Sequence, residues 1–155
     1  MAIEIERKYL INNDGWRQQI TSSSRITQGY LANSTTSSIR VRIDDDRANL
    51  NIKSGKISVE RQEYEFTIPV DQAREMMQQL VVGPVIEKTR YHVRYKEQTW
   101  EVDEFHGDNL GLIVAEIELD SIDQQIDLPE WVGEEVSEDP RYYNVNLILH
   151  PYKDW

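Results

Sequence analysis

The sequence predicts a single domain of mainly antiparallel β structure (α+β), in which eight strands close into a barrel with a few flanking helices. About eight segments alternate apolar and polar residues with the two-residue period of a strand, whereas one segment has a clear helical pattern. The polar face is almost purely ionic on strand after strand, which favours a wet barrel interior over an ordinary solvated face. The length of 155 residues suits one domain, residues 1–155.

The predicted strands follow one another with short turns between them. They are residues 2–11, 25–32, 39–43, 50–53, 59–68, 86–96, 99–106 and 112–120. A polar run at 33–38 and the acidic run at 44–47 indicate turns in the first half of the chain. Ser54 and Gly55 predict a hairpin between the fourth and fifth strands, because glycine supplies the backbone conformation of a tight turn.

Three segments depart from the strand pattern. Residues 14–20 predict a short helix after the first strand. Pro69 ends the fifth strand, and Asp71 is positioned to cap a helix that runs to about Val81 with its apolar residues on one face. Near the carboxyl end, residues 141–149 predict a closing helix.

The ionic residues recur in like-charged pairs two positions apart. In the first strand, Glu4, Glu6 and Lys8 share one face, while Ile5 and Tyr9 take the other. A solvated face gains nothing from such clustering, so we expect these side chains to point into the barrel. The seven acidic candidates are Glu4, Glu6, Glu63, Glu65, Asp103, Glu116 and Glu118. The seven basic candidates are Lys8, Arg40, Arg42, Lys53, Arg61, Lys88 and Arg90.

Buried charges at this density are tolerated only when they are hydrated, paired or bound to ligands. Clustered carboxylates suit Mg²⁺ or Mn²⁺, and clustered arginine and lysine side chains suit a chain of phosphates. The pattern therefore predicts a site for a metal–polyphosphate complex. The simpler alternative is a β domain with one solvated charged face, for which Glu4→Gln or Arg40→Ala would change neither metal nor phosphate binding.

Composition narrows the partners and the compartment. The formal net charge of −11 disfavours non-specific binding to nucleic acid, since the phosphate backbone would be repelled. The sequence has no cysteine, so it carries no disulfide framework and no thiol nucleophile. Neither a signal peptide nor an apolar run of about 18 residues is visible, and we expect a cytoplasmic protein without membrane contact.

Several short motifs, in order along the chain, resemble the CYTH, or triphosphate tunnel metalloenzyme, superfamily. The first is ExExK at Glu4, Glu6 and Lys8. The others are QGYL (28–31), RVR (40–42), a lysine before a hairpin (Lys53), ERQEYEF (60–66), EKTRY (87–91), WEVDEF (100–105), AEIEL (115–119) and GEEV (133–136). Together they span nearly the whole chain.

The resemblance implies a closed eight-stranded tunnel, often in a homodimer, that acts on triphosphates with a divalent metal. It implies that the acidic candidates are metal ligands or supports of the ligands: Glu4, Glu6, Glu116 and Glu118, with Asp103, Glu63 and Glu65. It implies that the basic candidates grip the phosphates: Lys8, Arg40, Arg42, Lys53, Arg61, Lys88 and Arg90. Lys8 and Tyr30 would fill the lysine–tyrosine dyad proposed to activate the nucleophile in hydrolytic members.

We therefore expect a metal-dependent hydrolase that converts inorganic tripolyphosphate to pyrophosphate and phosphate. A substrate made only of phosphates is favoured because nothing obvious in the sequence is left over to build a base-recognition pocket. One alternative is an enzyme for an organic triphosphate, namely a thiamine triphosphatase, a nucleoside triphosphatase or a class IV adenylate cyclase. The sequence lacks the amino-terminal His-Phe extension associated with the cyclases. The other alternative is a non-catalytic module that binds polyphosphate or nucleotide, which would not need so many carboxylates.

Overall fold

Eight antiparallel strands surround a central cavity in the computed structural model, which describes residues 3–155. The strands and a short ninth one are β1 (Ile3–Ile11), β2 (Ile20–Asn33), β3 (Ser37–Asp44), β4 (Arg47–Ser54), β5 (Glu60–Ile68), β6 (Ile86–Tyr95), β7 (Gln98–Phe105), β8 (Ile113–Glu118) and β9 (Val132–Glu135). The two α-helices are α1 (Val70–Gln79) and α2 (Asn144–Leu147). The 3₁₀ turns lie at Asp14–Gln19, Gly107–Asn109, Pro140–Tyr142 and Tyr152–Asp154.

The first strand closes the barrel. Around the ring the strand order is β5-β4-β3-β2-β6-β7-β8-β1, and β1 then pairs with β5 through its residues 3–5. Residues 6–10 of β1 pair with β8 on the opposite edge, and β9 pairs with the end of β1 that β5 does not reach. The prediction of a closed, eight-stranded antiparallel barrel with a few flanking helices is confirmed.

The larger hydrophobic cluster lies outside the barrel wall. A second cluster, which contains Phe105, Val114 and Leu147, lies on the inward strand face at one end of the barrel. On the outer face of β7, Trp100 has no exposed surface and makes edge-on ring contacts with Tyr9 and Trp131 at 5.6 Å. Helix α1 covers another part of the wall, where Ala73 packs against Val41. Over most of the barrel the apolar face of the strands is thus turned outward under covering segments, and the ionic face is turned into the cavity.

Four local predictions differ from the structure. Strand β2 begins at Ile20 rather than at residue 25, because the polar run after Ile20 is held by pairing with β6, which hydrophobic alternation does not reveal. The prediction that Asp71 caps the helix is wrong, because α1 already begins at Val70 and Asp71 lies in its first turn. The helices expected at 14–20 and 141–149 are a 3₁₀ turn and a four-residue α-helix.

No helix of residues 3–155 combines the length and the apolar character needed to cross a membrane.

The position of the core outside the barrel makes a prediction about stability. Trp100→Ala removes a fully buried side chain between two aromatic rings, and we expect the free energy of unfolding to fall by about 3–5 kcal/mol. Urea denaturation measures this change. Leu110→Ala is the control, because Leu110 is 71% exposed and its truncation is expected to change stability by about 0.5 kcal/mol or less. Equal effects of the two substitutions would contradict the assignment of the core.

Candidate functional site

The barrel encloses a cavity of about 420 Å³ that is lined mainly by charged side chains. All seven basic candidates line it, and so do six of the seven acidic ones, the exception being Asp103. Tyr30 also lines the cavity. Strand alternation is a local property, so the sequence placed these side chains on the inward face without knowledge of the strand order.

Carboxylates gather on the wall formed by β1, β7 and β8. In the strand register Glu6 lies opposite Glu118, and Glu116 lies opposite both Lys8 and Glu101. Two groups of three carboxylates each bring oxygen atoms within 4.8 Å of one another. These groups are Glu4, Glu6 and Glu118, and Glu6, Glu101 and Glu116. Such oxygen clusters fit the ligand preference of hard divalent cations, and Glu6 belongs to both.

The crowding of these carboxylates raises the pKa of individual groups. Burial and the repulsion of Glu116 raise the pKa of Glu6 to about 8, although Lys8 opposes the shift. Burial, together with repulsion by Glu101 and Glu4, also raises the pKa of the Glu118 carboxyl. Despite burial, Lys53, Arg90 and Lys8 keep the pKa values of Glu4, Glu101 and Glu116, respectively, below their ordinary range. The deficit of positive charge is therefore local to Glu6 and Glu118, where a divalent cation would compensate it.

Cations gather on the opposite wall. Strands β3 and β8 are separated by three strands in either direction around the ring, so Arg40 and Arg42 on β3 lie across the cavity from the carboxylates of β8. Within residues 3–155, neither arginine forms an ion pair, and the Nε of Arg40 has no hydrogen-bond partner. Burial and the repulsion of Arg40 and Arg90 lower the pKa of Arg42 to about 9. Arg40 and Arg42 outnumber Asp44, the acidic lining residue of the same strand, and an anion in the cavity would supply the missing negative charge.

Asp103 lies on the inward face beneath the side chains of Lys88 and Arg90 and holds both cations. It has no exposed surface, and its oxygens accept hydrogen bonds from Lys88 Nζ at 2.7 Å and from Arg90 Nε at 2.8 Å. Burial would raise the pKa of Asp103, but Arg90 and Lys88 lower it to about 2. The neighbouring inward residue Glu101, absent from the predicted set, instead lines the cavity. The period of two gives both residues the same face and does not distinguish them.

Lys8 is held by carboxylates rather than by Tyr30. Its Nζ lies 2.6 Å from Glu116 and 3.4 Å from Glu6. Burial alone would lower the pKa of Lys8, but the attraction of Glu116 and Glu6 raises it above its ordinary value. The ring beneath the ammonium group is Tyr143, whose centroid is 4.7 Å from Nζ.

Lys53 and the carboxyl-terminal segment complete the lining. Lys53 Nζ lies 3.1 Å from Glu4 and 3.3 Å from Glu63, which ties β4 to β1 and β5. Tyr143 and Asn144 reach the cavity from outside the barrel strands. Sequence reasoning missed them, because a segment without strand alternation carries no signal for an inward face.

Comparison with known protein sequences identifies the family of this chain. Residues 2–152 match the sequence model of the CYTH domain. The chain belongs to the CYTH domain family. This CYTH domain is 41% identical over 155 residues to an inorganic triphosphatase of Acetivibrio thermocellus, with 100% of this chain and 99% of that protein covered. It is 39% identical over 153 residues to an inorganic triphosphatase of Nitrosomonas europaea, with 94% and 97% covered.

A solved structure has the same fold. The crystal structure of the inorganic triphosphatase NE1496 superimposes on this CYTH domain with a TM-score of 0.67 and 37% sequence identity. The match covers 96% of each chain. The barrel and its inward ionic face are thus built on an architecture already seen in a triphosphatase.

The raised pKa of Glu6 predicts how the metal-free protein responds to pH. The pKa of Glu6 in the folded protein lies above its value in the unfolded chain. The free energy of unfolding therefore falls as the pH rises from about 4.5 to about 8, because the unfolded chain loses the Glu6 proton more readily. Glu6→Gln keeps the shape and removes the repulsion. We expect it to raise the melting temperature in EDTA more at pH 8.5 than at pH 5.

Glu60→Gln is the control for this measurement, because Glu60 lies on the exposed start of β5 and does not line the cavity. A melting-temperature difference between Glu6→Gln and the unsubstituted protein that is the same at both pH values would contradict carboxylate crowding.

Proposed function

We propose that this CYTH domain is a divalent-metal-dependent triphosphatase that hydrolyses inorganic tripolyphosphate to pyrophosphate and phosphate. The observation that carries the proposal is the division of the cavity between two unbalanced walls. Crowded carboxylates around Glu6 face Arg40 and Arg42, which have no acidic partner within residues 3–155. A metal–polyphosphate complex brings a cation to the first wall and an anion to the second.

The carboxylate wall would hold Mg²⁺ or Mn²⁺, since all its ligand atoms are oxygens. The proposed ligands are Glu4, Glu6, Glu101, Glu116 and Glu118. Glu63 and Glu65 are proposed as supports, because they contact Lys53 and Asn51. Asp103 is likewise proposed as a support, for Lys88 and Arg90. When bound, the ion neutralises phosphate charge and lowers the pKa of a coordinated water.

The cationic wall would grip the phosphate chain. Phosphoryl transfer needs charge neutralisation and alignment more than covalent assistance, and guanidinium groups bind phosphate oxygens in pairs. The proposed phosphate-binding residues are Arg40, Arg42, Lys53, Arg61, Lys88 and Arg90. Lys8 would keep its proton and place positive charge beside the reacting phosphoryl group. Tyr30, which lines the same cavity, is proposed as its partner.

The lining favours a substrate made only of phosphates over an organic triphosphate. Among the described lining residues, the larger apolar or aromatic side chains are Tyr30, Tyr143 and Val145, together with the imidazole of His92, which forms an ion-pair contact with Glu101. Tyr30 is 6% exposed and Tyr143 is 4% exposed, and both pack with Val145 in one cluster. The cavity therefore presents charged groups to a ligand and little surface on which a nucleobase or thiazolium ring would stack.

Phosphate release by the purified protein tests the proposal. Tripolyphosphate, ATP and thiamine triphosphate are compared in Mg²⁺, in Mn²⁺ and in EDTA. We expect fast release from tripolyphosphate that EDTA abolishes. Glu6→Gln and Arg40→Ala are each expected to lower kcat/KM by about 10²-fold or more, because each removes charge that acts on the transition state.

Each other outcome changes a different part of the proposal. Faster release from ATP or thiamine triphosphate would replace the substrate and keep the site. Undiminished release in EDTA would overturn the metal dependence. Binding of tripolyphosphate without release from any compound would indicate a binding module instead of an enzyme.

We also propose that the protein acts in the cytoplasm as a homodimer. The outer face of β5 supports the dimer, because Tyr64 and Phe66 are 44% and 55% exposed there and pair with Ile52 and Leu50 of β4. Sedimentation equilibrium is expected to give the mass of two chains, and Phe66→Glu the mass of one. Leu128→Glu is the control at a separate exposed apolar residue. A single-chain mass for the unsubstituted protein would contradict the dimer.

A further inference from the structure

The short helix α2 lies outside the barrel strands, yet it joins the cationic wall of the cavity. Its first residue, Asn144, lines the cavity and is 9% exposed. The side-chain Oδ1 of Asn144 accepts hydrogen bonds from Lys88 Nζ at 3.0 Å and from Gln28 Nε2 at 2.7 Å. Helix α2 therefore contacts a phosphate-binding candidate directly.

Gln28 extends this connection to a second cation. Gln28 has no exposed surface, and its Oε1 accepts a hydrogen bond from Arg42 Nε at 2.9 Å. Four side chains thus form one chain of contacts from β3 to β6: Arg42, Gln28, Asn144 and Lys88. The strands β3 and β6 are separated by β2 in the sheet, so the chain crosses the wall beneath the phosphate-binding face.

The orientation of both amides is determined by the cations at the two ends. Arginine and protonated lysine only donate hydrogen bonds, so the atom that faces each of them is an amide oxygen. With Gln28 Oε1 facing Arg42, its Nε2 group is turned to Asn144, and Asn144 presents the one oxygen that Lys88 also requires. The arrangement has one consistent solution, and a rotation of either amide would place two donors face to face.

We propose that Asn144 is a positioning residue for triphosphate binding, which holds Lys88 directly and Arg42 through Gln28. The inference rests on the proposed function in taking these two cations as phosphate ligands. Arg42 forms no ion pair within residues 3–155, so the amide of Gln28 is the group that restrains its guanidinium before the substrate arrives. Restraint of the cations in advance lowers the entropy cost of binding, and it acts on substrate and transition state alike.

Two measurements test the role of Asn144. The first is the KM and kcat of tripolyphosphate hydrolysis, and the second is the calorimetric affinity for tripolyphosphate in EDTA, where no turnover is expected. Asn144→Leu removes the shared acceptor, and we expect KM to rise and the metal-free affinity to fall by about tenfold or more, with kcat little changed. Asn144→Ala, which is smaller and also removes the acceptor, answers the same question if the leucine variant does not fold.

Asn146→Ala is the matched control, because Asn146 lies on the same helix, bonds to Pro140 O and does not line the cavity. Its KM and affinity are expected to match the unsubstituted protein. A double-mutant cycle tests the contact between Gln28 and Asn144. Gln28→Leu and Asn144→Leu each remove the same hydrogen bond. The fold-change of the double variant is therefore expected to be smaller than the product of the single fold-changes.

The two measurements separate this inference from the proposed function. If folded Asn144 variants keep the KM and the metal-free affinity of the unsubstituted protein, or lose kcat alone, the positioning role is overturned. The same holds if the two single effects multiply in the double variant. If the unsubstituted protein does not hydrolyse tripolyphosphate but Asn144→Leu weakens its metal-free binding, the proposed function fails and the positioning role stands.

Discussion

The presence of many charges inside the barrel is the constraint on which the rest of the structure depends. Each ion removed from water costs on the order of several kcal/mol unless it is paired or coordinated. The pairs of Glu116 with Lys8 and of Asp103 with Arg90 meet part of this requirement. The protein leaves the rest unmet at Glu6 on one wall and at Arg40 on the other, and this residual imbalance is what suits the cavity to a ligand of both signs.

An ionic interior moves most of the hydrophobic core to the outside of the wall. Strands whose inward face is charged have only their outer face with which to bury apolar surface, so the segments between strands must cover it. The 3₁₀ turn with Trp16 and the loop with Trp131 cover β7, and α1 covers β3 and β4. Over most of the barrel the covering segments and the catalytic face are therefore on opposite sides of the same strands, and stability and ligand binding draw largely on separate sets of side chains.

The carboxyl-terminal segment is the exception to that separation. Tyr143 places its ring under Lys8 and donates its hydroxyl hydrogen to Ser137 O at 2.7 Å, while Asn144 accepts from Lys88. Asn144 enters the cavity as the first residue of the four-residue helix α2, and Tyr143 enters from the position just before it. The cations of the site are thus held from behind by Asp103 and from one end by α2, which restricts their positions before any phosphate binds.

The sequence by itself determined which side chains face the cavity, because alternation along a strand is a local property that needs no knowledge of the neighbouring strands. Arg40 and Arg42, or Glu4 and Glu6, could be placed inward on that ground alone, and the ring of eight strands followed from their number and from the ionic face. The tertiary structure alone decided which of these charges meet. The packing of Lys88 and Arg90 covers Asp103, whereas Glu101 on the same face lines the cavity. Strand register assembles carboxylates of β1, β7 and β8 into two clusters. The tertiary structure also brought in Asn144, since a residue outside any periodic segment reaches a site only through the path of the folded chain.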